Sequence, residues 1–511
     1  MITSIRGRFF FSFGANVLRG FISFITAILL ARLLGPNSFG DMAFLLGTFM
    51  GIIKLLDMGS SSAFFTFMSQ SPKSKRFVIS FWVWLAFQLL IPLCVVGLLF
   101  PSQWVEIIWN GEKLSLVLLA FLAIFMQGPV WSTVQNTGES QRRTVWIQGI
   151  SFAIATVHLI AVLFLWLVGW LGLYAIFLAI AIEYLVAAII AHKRFSFTEE
   201  VIDTAFSLEE PIFQKYLDYC MPLIPYSWVG FAYIFADRWL LQNYSGSVEQ
   251  AYYAVSAQLA AVALIITASI LRIFWKEVAE ARKKDNNERI RRLYQKVSRI
   301  LFFVSSVIAG FLIPWAEELL KNILGEAYLG GVTTLSIMFL YPIFQSAGQI
   351  GGTMLYACEK VSIQSKIAIV FMILSIIVSY FILAPSDAVL PGLNLASEGL
   401  AMKLVVMAFI QVNILAYIIA RIWNWPFDWI YQPVGLFGCV GLGWIVNTGA
   451  TILIGEILPW FVTLFVSGVF YISLVAILLY IMPWLIDMTR KEIDYNVNVS
   501  LKKLQSIINH E

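Results

Sequence analysis

Charge is scarce in this chain. Lysine, arginine, aspartate and glutamate make up 13% of its 511 residues, about half the 25% usual in a soluble domain. Four cysteines (Cys94, Cys220, Cys358 and Cys439) stand far apart with no paired spacing, which excludes a disulfide framework and a zinc site. Three histidines (His158, His192 and His510) form no HExxH or other ligand cluster. No GxxxxGK[ST] loop is present to cradle the phosphates of ATP. No nucleophile stands beside a base, and no acidic pair sits at a loop for glycosyl transfer. No stretch of even about 50 residues is polar enough to form a separate soluble domain. The net charge of +4 resides in loops between apolar runs, so it speaks of membrane orientation and against a nucleic-acid partner.

Apolar residues are abundant: 60% of the chain is hydrophobic and the mean hydropathy is +0.83. They fall in runs of about 20 or more, the length that crosses a bilayer as a helix. About fourteen such segments are predicted. They lie near 10–34, 41–67, 77–100, 114–136, 145–168, 171–191, 216–241, 250–275, 299–316, 329–356, 364–384, 393–421, 434–456 and 460–483. The fold expected is an all-α polytopic membrane protein. Arg6 and Arg8 lead into a first run too long for a signal peptide, so that run is expected to be a retained helix.

Basic residues collect after the even-numbered helices: Lys73, Lys75 and Arg76; Arg142 and Arg143; Lys193, Arg194 and Lys215; and the segment from Lys276 to Arg299. After the odd-numbered helices almost none occurs, Lys113 and Lys321 being the exceptions. Lysine and arginine resist translocation, so the charged side and both termini are expected to be cytoplasmic. The loops near 192–215 and 276–298 are expected to form surface helices, the first acidic in its middle (Glu199, Glu200, Asp203, Glu209, Glu210). A weak repeat relates Arg32-Leu33-Leu34-Gly35, then Phe39-Gly40, to Asp237-Arg238-Trp239-Leu240-Leu241, then Tyr253-Ala254. Six helices separate the two copies, an arrangement suited to parallel lobes around a central pathway.

A charge at mid-bilayer costs roughly 2.5–3.5 kcal/mol on insertion scales, so it is turned inward, paired or hydrated. The basic residues at that depth are Arg19, Arg32, Lys54, Arg238, Arg272 and Lys403; the acids are Asp57, Glu183, Asp237 and Glu398, with Asp218 at a helix entrance. Lys54 and Asp57 share a helix face and either neutralise each other or leave Lys54 on a cavity wall. Arg19 has no acid within a turn, which favours a cavity-facing role. Arg32, Arg238 and Arg272 stand nearer helix ends, where snorkelling to headgroups competes with substrate contact. Glu183 has no partner on its own helix and either pairs with another helix or carries a coupling proton. More cations than free acids along a hydrated path suit an anionic cargo, and the arginine fork suits phosphate oxygens. Pro222 and Pro225 loosen the start of the seventh helix, with hinge and tolerated kink both open.

The opening Ala31-Arg32-Leu33-Leu34-Gly35-Pro36, with Phe39-Gly40 and Asp57-Met58-Gly59, resembles the first hairpin of the polysaccharide-transporter family. These are the flippases of lipid-linked oligosaccharides such as O-antigen units, within the superfamily that also holds multidrug-and-toxin extruders and peptidoglycan-lipid flippases. Asp237-Arg238 before Tyr252-Tyr253, Gly325-Glu326-Ala327-Tyr328, and Cys358-Glu359-Lys360 resemble later parts of the same pattern, with Cys358 and Lys54 as departures. The resemblance implies two pseudo-symmetric six-helix lobes, 1–210 and 211–425, and two additional helices and a tail over 426–511. It implies a bacterial inner-membrane protein without enzymatic activity, metal or cofactor, driven if at all by a proton or sodium gradient. Its cargo would be a polyprenyl-diphosphate-linked repeat unit for lipopolysaccharide, capsule or exopolysaccharide, and its partners the bilayer and the polysaccharide polymerase and chain-length proteins. Arg19, Lys54 and Arg238, then Arg32 and Arg272, are the candidates for contact with the diphosphate; Asp57 and Glu183 are those for ion coupling. Two other functions remain open: a multidrug antiporter of the same architecture, and a membrane-embedded polymerase or glycosyltransferase, which the short external loops disfavour.

Overall fold

Every regular element among the described residues is helical, as a chain must be whose backbone groups find no water in the bilayer. The computed structural model describes residues 5–70, 75–195, 210–455 and 457–495. The first helices are α1 (Ile5–Asp57), α2 (Ser60–Gln70), α3 (Lys75–Cys94), α4 (Ser102–Ile108), α5 (Leu114–Phe125), α6 (Trp131–Ser140), α7 (Thr144–Leu167), α8 (Leu173–His192) and α9 (Glu210–Cys220). There follow α10 (Ile224–Ala261), α11 (Leu264–Lys283), α12 (Asn287–Leu312), α13 (Ala316–Leu319), α14 (Val332–Met338), α15 (Tyr341–Ala357), α16 (Val361–Leu383), α17 (Ala396–Trp423), α18 (Tyr431–Ile454) and α19 (Trp460–Ile481). By packing, the chain forms two units: Met1–Ala254 with Met372–Ala396, and Val255–Phe371 with Ser397–Glu511. This is a grouping by contact, independent of the division at 210 and 425 drawn from the sequence.

Eleven segments among the described residues are long and apolar enough to cross a membrane, and the protein is multi-pass. They account for twelve of the fourteen expected spans, because Gly14–Asp57 holds the first two. The expected seventh and eighth spans are helical in α10 and α11, but fall outside the eleven. Asp237, Arg238, Gln242, Asn243 and Glu249 dilute the apolar character of α10. Lys276, Glu277, Glu280, Arg282 and Lys283 do the same in α11.

At 1.5 Å per residue an unbroken α1 would run about 80 Å, far beyond the ~30 Å of hydrocarbon. It kinks at Gly35, whose φ of 73° and ψ of 169° are open to glycine at little strain. The same corner recurs in α10 at Gly246, with φ 82° and ψ −179°. The two corners set a register that the sequence comparison missed: five residues on, Gly40 matches the buried Ala251, not Ala254. The expected helix over 41–67 is also interrupted. Met58 and Gly59 both take positive φ (45° and 84°), and α2 starts afresh at Ser60.

The stretch 276–298 is not a surface helix but the water-side ends of α11 and α12. Asn286 caps α12 by accepting from the Arg289 amide at 3.0 Å. Glu277 pairs with Arg289 across the hairpin at 2.5 Å. Of the expected helix near 192–215, residues 196–209 lie outside the described residues, and α9 takes up the chain at Glu210.

In the second unit α18 and α19 are bound tightly to α12. A Cβ on Gly310 would lie 2.6 Å from the Cys439 carbonyl carbon, and one on Gly443 would lie 2.8 Å from that of Gly310. Small residues at this crossing let the backbones touch. The Tyr471 hydroxyl donates towards Val307 O (3.0 Å) and Cys439 O (3.1 Å), and Arg299 pairs with Asp428.

Candidate functional site

The second half of α1 lies antiparallel to the first half of α10, both in the first unit, along a seam of glycines. Gly40 faces Ser247, Gly47 the Arg238 side chain, Gly51 faces Ile234 and Phe231, and Lys54 faces Gly230. Glycine in the seam gives α10 room to carry bulky and charged residues there. A Cβ on Gly47 would sit 2.9 Å from Arg238 Cγ.

Two of the expected cations lie on this seam. Arg238 is half-buried, its guanidinium 4.9 Å from the centroid of the Tyr253 ring, and its Nη1 is buried without a hydrogen-bond partner. Its sequence neighbour Asp237 does not neutralise it: that carboxylate accepts from the Ser379 hydroxyl. Lys54 Nζ stands 5.0 Å from the Tyr226 ring centroid, a cation–π contact. Eight residues of α10 separate the contacts of Lys54 at Gly230 from Arg238, about 12 Å along the axis. Arg19, on the first half of α1, is half-buried and within electrostatic range of Tyr184, whose hydroxyl meets the Gln127 side chain. None of Arg19, Lys54 and Arg238 forms an ion pair among the described residues. Arg32 is exposed. Arg272 lies on α11, and its side chain is outside the described residues.

Asp57 and Lys54, three apart in sequence, do not pair. Asp57 caps α2 instead: its oxygens accept from Ser60 Oγ (3.0 Å), Ser61 Oγ (2.5 Å) and the amides of Gly59 (3.2 Å) and Ser61 (2.9 Å). Glu183 on α8 meets His158 on α7, with Nδ1 2.9 Å from Oε2 and side-chain exposures of 8% and 18%. A contact that short needs a proton between the two atoms. The sequence shows His158 only as a scattered histidine, because its partner is 25 residues away on another helix.

At the glycine corners the same two helices are joined by polar contacts. Asp41 accepts from the Ser247 hydroxyl and from Gln242 Nε2 (3.1 Å), and Asn110 Nδ2 donates to Gln242 O at 3.4 Å. The neighbouring Glu112, half-buried, has its carboxyl pushed above the usual 4.5, first by burial and then by the charge of Asp41. A raised carboxyl pKa means the folded state holds the proton more tightly. That contribution is therefore complete below about 4.5 and lost as pH rises through the folded value. The melting temperature of the purified protein is expected to fall from pH 4.5 towards neutrality more steeply than that of Glu112→Gln; parallel profiles would refute this.

No group of three or more His, Cys, Asp or Glu side chains able to hold a metal ion occurs among the described residues. Positive side chains held without counter-ions on a polar seam can hold an anion, and the arginine can do so bidentately.

The model of the family described as "Polysaccharide biosynthesis protein" matches residues 6–275. No curated protein matches the chain at a significant level. Among solved structures, the lipid II flippase MurJ in an inward closed conformation superposes with a TM-score of 0.69 at 13% identity, covering 92% of this chain and 99% of its own. An inward-facing multidrug resistance MATE family transporter of the MOP superfamily gives 0.60 at 14% identity, over 79% of this chain and 96% of its own. A MATE structure in complex with MaL6 gives 0.51 at 13% identity, over 80% and 95%. The matched structures are a flippase and transporters, and at these identities the likeness is one of fold. The family match spans more than half of the chain, which belongs to the polysaccharide biosynthesis protein family.

Proposed function

We propose that this member of the polysaccharide biosynthesis family is a flippase. It moves a polyprenyl-diphosphate-linked oligosaccharide repeat unit from the cytoplasmic to the outer leaflet of the bacterial inner membrane, by alternating access, for surface polysaccharide such as O-antigen, capsule or exopolysaccharide. The observation that carries this reading is the set of half-buried cations, Arg19, Lys54 and Arg238, held without ion-pair partners among the described residues. Unpaired cations in a bilayer are costly; a diphosphate offsets that cost only while cargo is bound. The family description and the lipid-linked cargo in the flippase's name point the same way. The distribution of lysine and arginine supports cytoplasmic termini. The polymerase and chain-length proteins that consume such a unit are the expected partners.

Deleting the gene is expected to leave complete lipid-linked repeat units on the cytoplasmic leaflet and to remove the surface polymer. Unchanged lipid-linked sugars and polymer would overturn the flippase and turn attention to drug efflux, which the MATE fold also serves. A cationic drug would need an available acid on the seam, and Asp57 has committed its oxygens to capping α2.

Energy coupling falls to the Glu183–His158 pair, a hydrogen-bonded acid and imidazole on two neighbouring helices. Glu183→Gln keeps the shape and a hydrogen bond but fixes the charge. Export by this variant is expected to drop and to lose its sensitivity to a protonophore; retained sensitivity would place coupling elsewhere, including a sodium gradient.

A further inference from the structure

The second unit contains a cavity of about 610 Å³ between α11, α15, α16 and α17, within the roughly 300–1,000 Å³ range of small-molecule sites. No charged residue lines it among the described residues. Its polar lining is mostly amide: Gln345 and Gln349 one turn apart on α15, Gln364 from α16 and Gln411 from α17. None of these four side chains makes a hydrogen bond to another described residue, and Gln364 Oε1 is buried without a partner. A Cβ on Gly352 would come within 3.3 Å of Gln364 Nε2, so glycine there keeps that amide uncrowded. At the mouth, Trp275 and Tyr356 stack with centroids 6.0 Å apart and planes 22° from parallel, and both are exposed.

Leaving Gln364 Oε1 buried and unpaired costs about 1–3 kcal/mol, while Gln345, Gln349 and Gln411 are half-exposed on the cavity wall. An amide both donates and accepts, as a hydroxyl does, while a flat aromatic pair presents apolar faces with polar tips. The geometry points to a binding site for an uncharged sugar ring, a hexose or N-acetylhexosamine, of the lipid-linked cargo. The ring's hydroxyls pair with Gln345, Gln349, Gln364 and Gln411, and its C–H face rests on Trp275 and Tyr356. The assignment rests on the flippase reading and adds to it a site for the glycan within the second unit. The mouth adjoins Lys276 and the Cys358-Glu359-Lys360 turn, on the side the basic loops assign to the cytoplasm, where the cargo loads.

The test uses the full chain in nanodiscs and three probes: undecaprenyl diphosphate bearing one N-acetylglucosamine, the same lipid bearing one glucuronic acid, and the bare lipid diphosphate. Wild type is expected to prefer the N-acetylglucosamine lipid over both others by on the order of tenfold, the effect of a few neutral hydrogen bonds. Gln349→Leu with Gln411→Leu is expected to abolish that preference while leaving affinity for the bare lipid unchanged. Gln411→Glu, close in size and therefore a guard against misfolding, removes the amide's N–H donors and is expected to reduce it. Wild type that binds all three probes alike, or variants that keep the preference, would overturn the cavity assignment and leave the flippase standing. Wild type that binds none of them would overturn the flippase reading itself, and the glycan site with it.

Discussion

Gly40→Leu is expected to abolish polysaccharide export in cells that still insert the protein. A Cβ at this position would lie within 2.5 Å of the Ser247 carbonyl carbon. That atom belongs to the backbone of α10 and cannot rotate aside as a side chain would. The α1 and α10 corners must then separate, and the contacts of Asp41 with Ser247 and Gln242 open with them. Overpacking alone costs about 1–3 kcal/mol; at the upper end, a two-state equilibrium shifts more than about a hundredfold. Export below about one-hundredth of wild type is the expected readout, alongside membrane abundance by immunoblot. Gly51→Ala is the control: its Cβ would meet Ile234 and Phe231 at 3.5 Å, ordinary contact, and near-normal export is expected. Equal export by Gly40→Leu and wild type would show that the corner junction need not close in transport.

Arg238→Ala is expected to reduce export by more than about a hundredfold, since each hydrogen bond to a charged group is worth about 1.5–3 kcal/mol and a bidentate contact loses two. Arg238→Lys should recover only part of the loss, because a point charge replaces a planar fork. The distinguishing readout is stability. Nη1 is buried with no hydrogen-bond partner and the guanidinium has no carboxylate among the described residues. Removing it discards an uncompensated charge, so the melting temperature of the empty protein should hold or rise. An arginine that served to hold the fold together would give the opposite result, a clear drop in melting temperature in parallel with export.

The bilayer's demand for long apolar helices made most of the spans legible in the sequence, because that demand is imposed residue by residue. The costly cations Lys54 and Arg238 were legible for the same reason. Relations between helices were not. Glu183 could be seen to need a partner, but nothing in one dimension points to His158. Asp57 stood three residues from Lys54 and invited a pair, whereas the Asp57-Met58-Gly59-Ser60-Ser61 run carries the signature of a helix start. Reading 41–67 as one span hid that signal. The glycines at 40, 47 and 51 share a helix face by spacing, yet what they face on α10 requires the fold. The glutamines were not legible, because an amide costs less in a membrane than an ion and stands out less.

The junction of Gly310, Cys439 and Gly443 fixes what kind of object the last two helices are. Backbone lies on backbone there, and a tyrosine hydroxyl seals the crossing from α19. Such a joint has no side chains whose rotamers could absorb sliding, so α12, α18 and α19 form a single stiff rib. A chain shortened before α18 would turn that rib's glycine face towards lipid, leaving the flank of α12 smooth and unclad where the longer chain is braced.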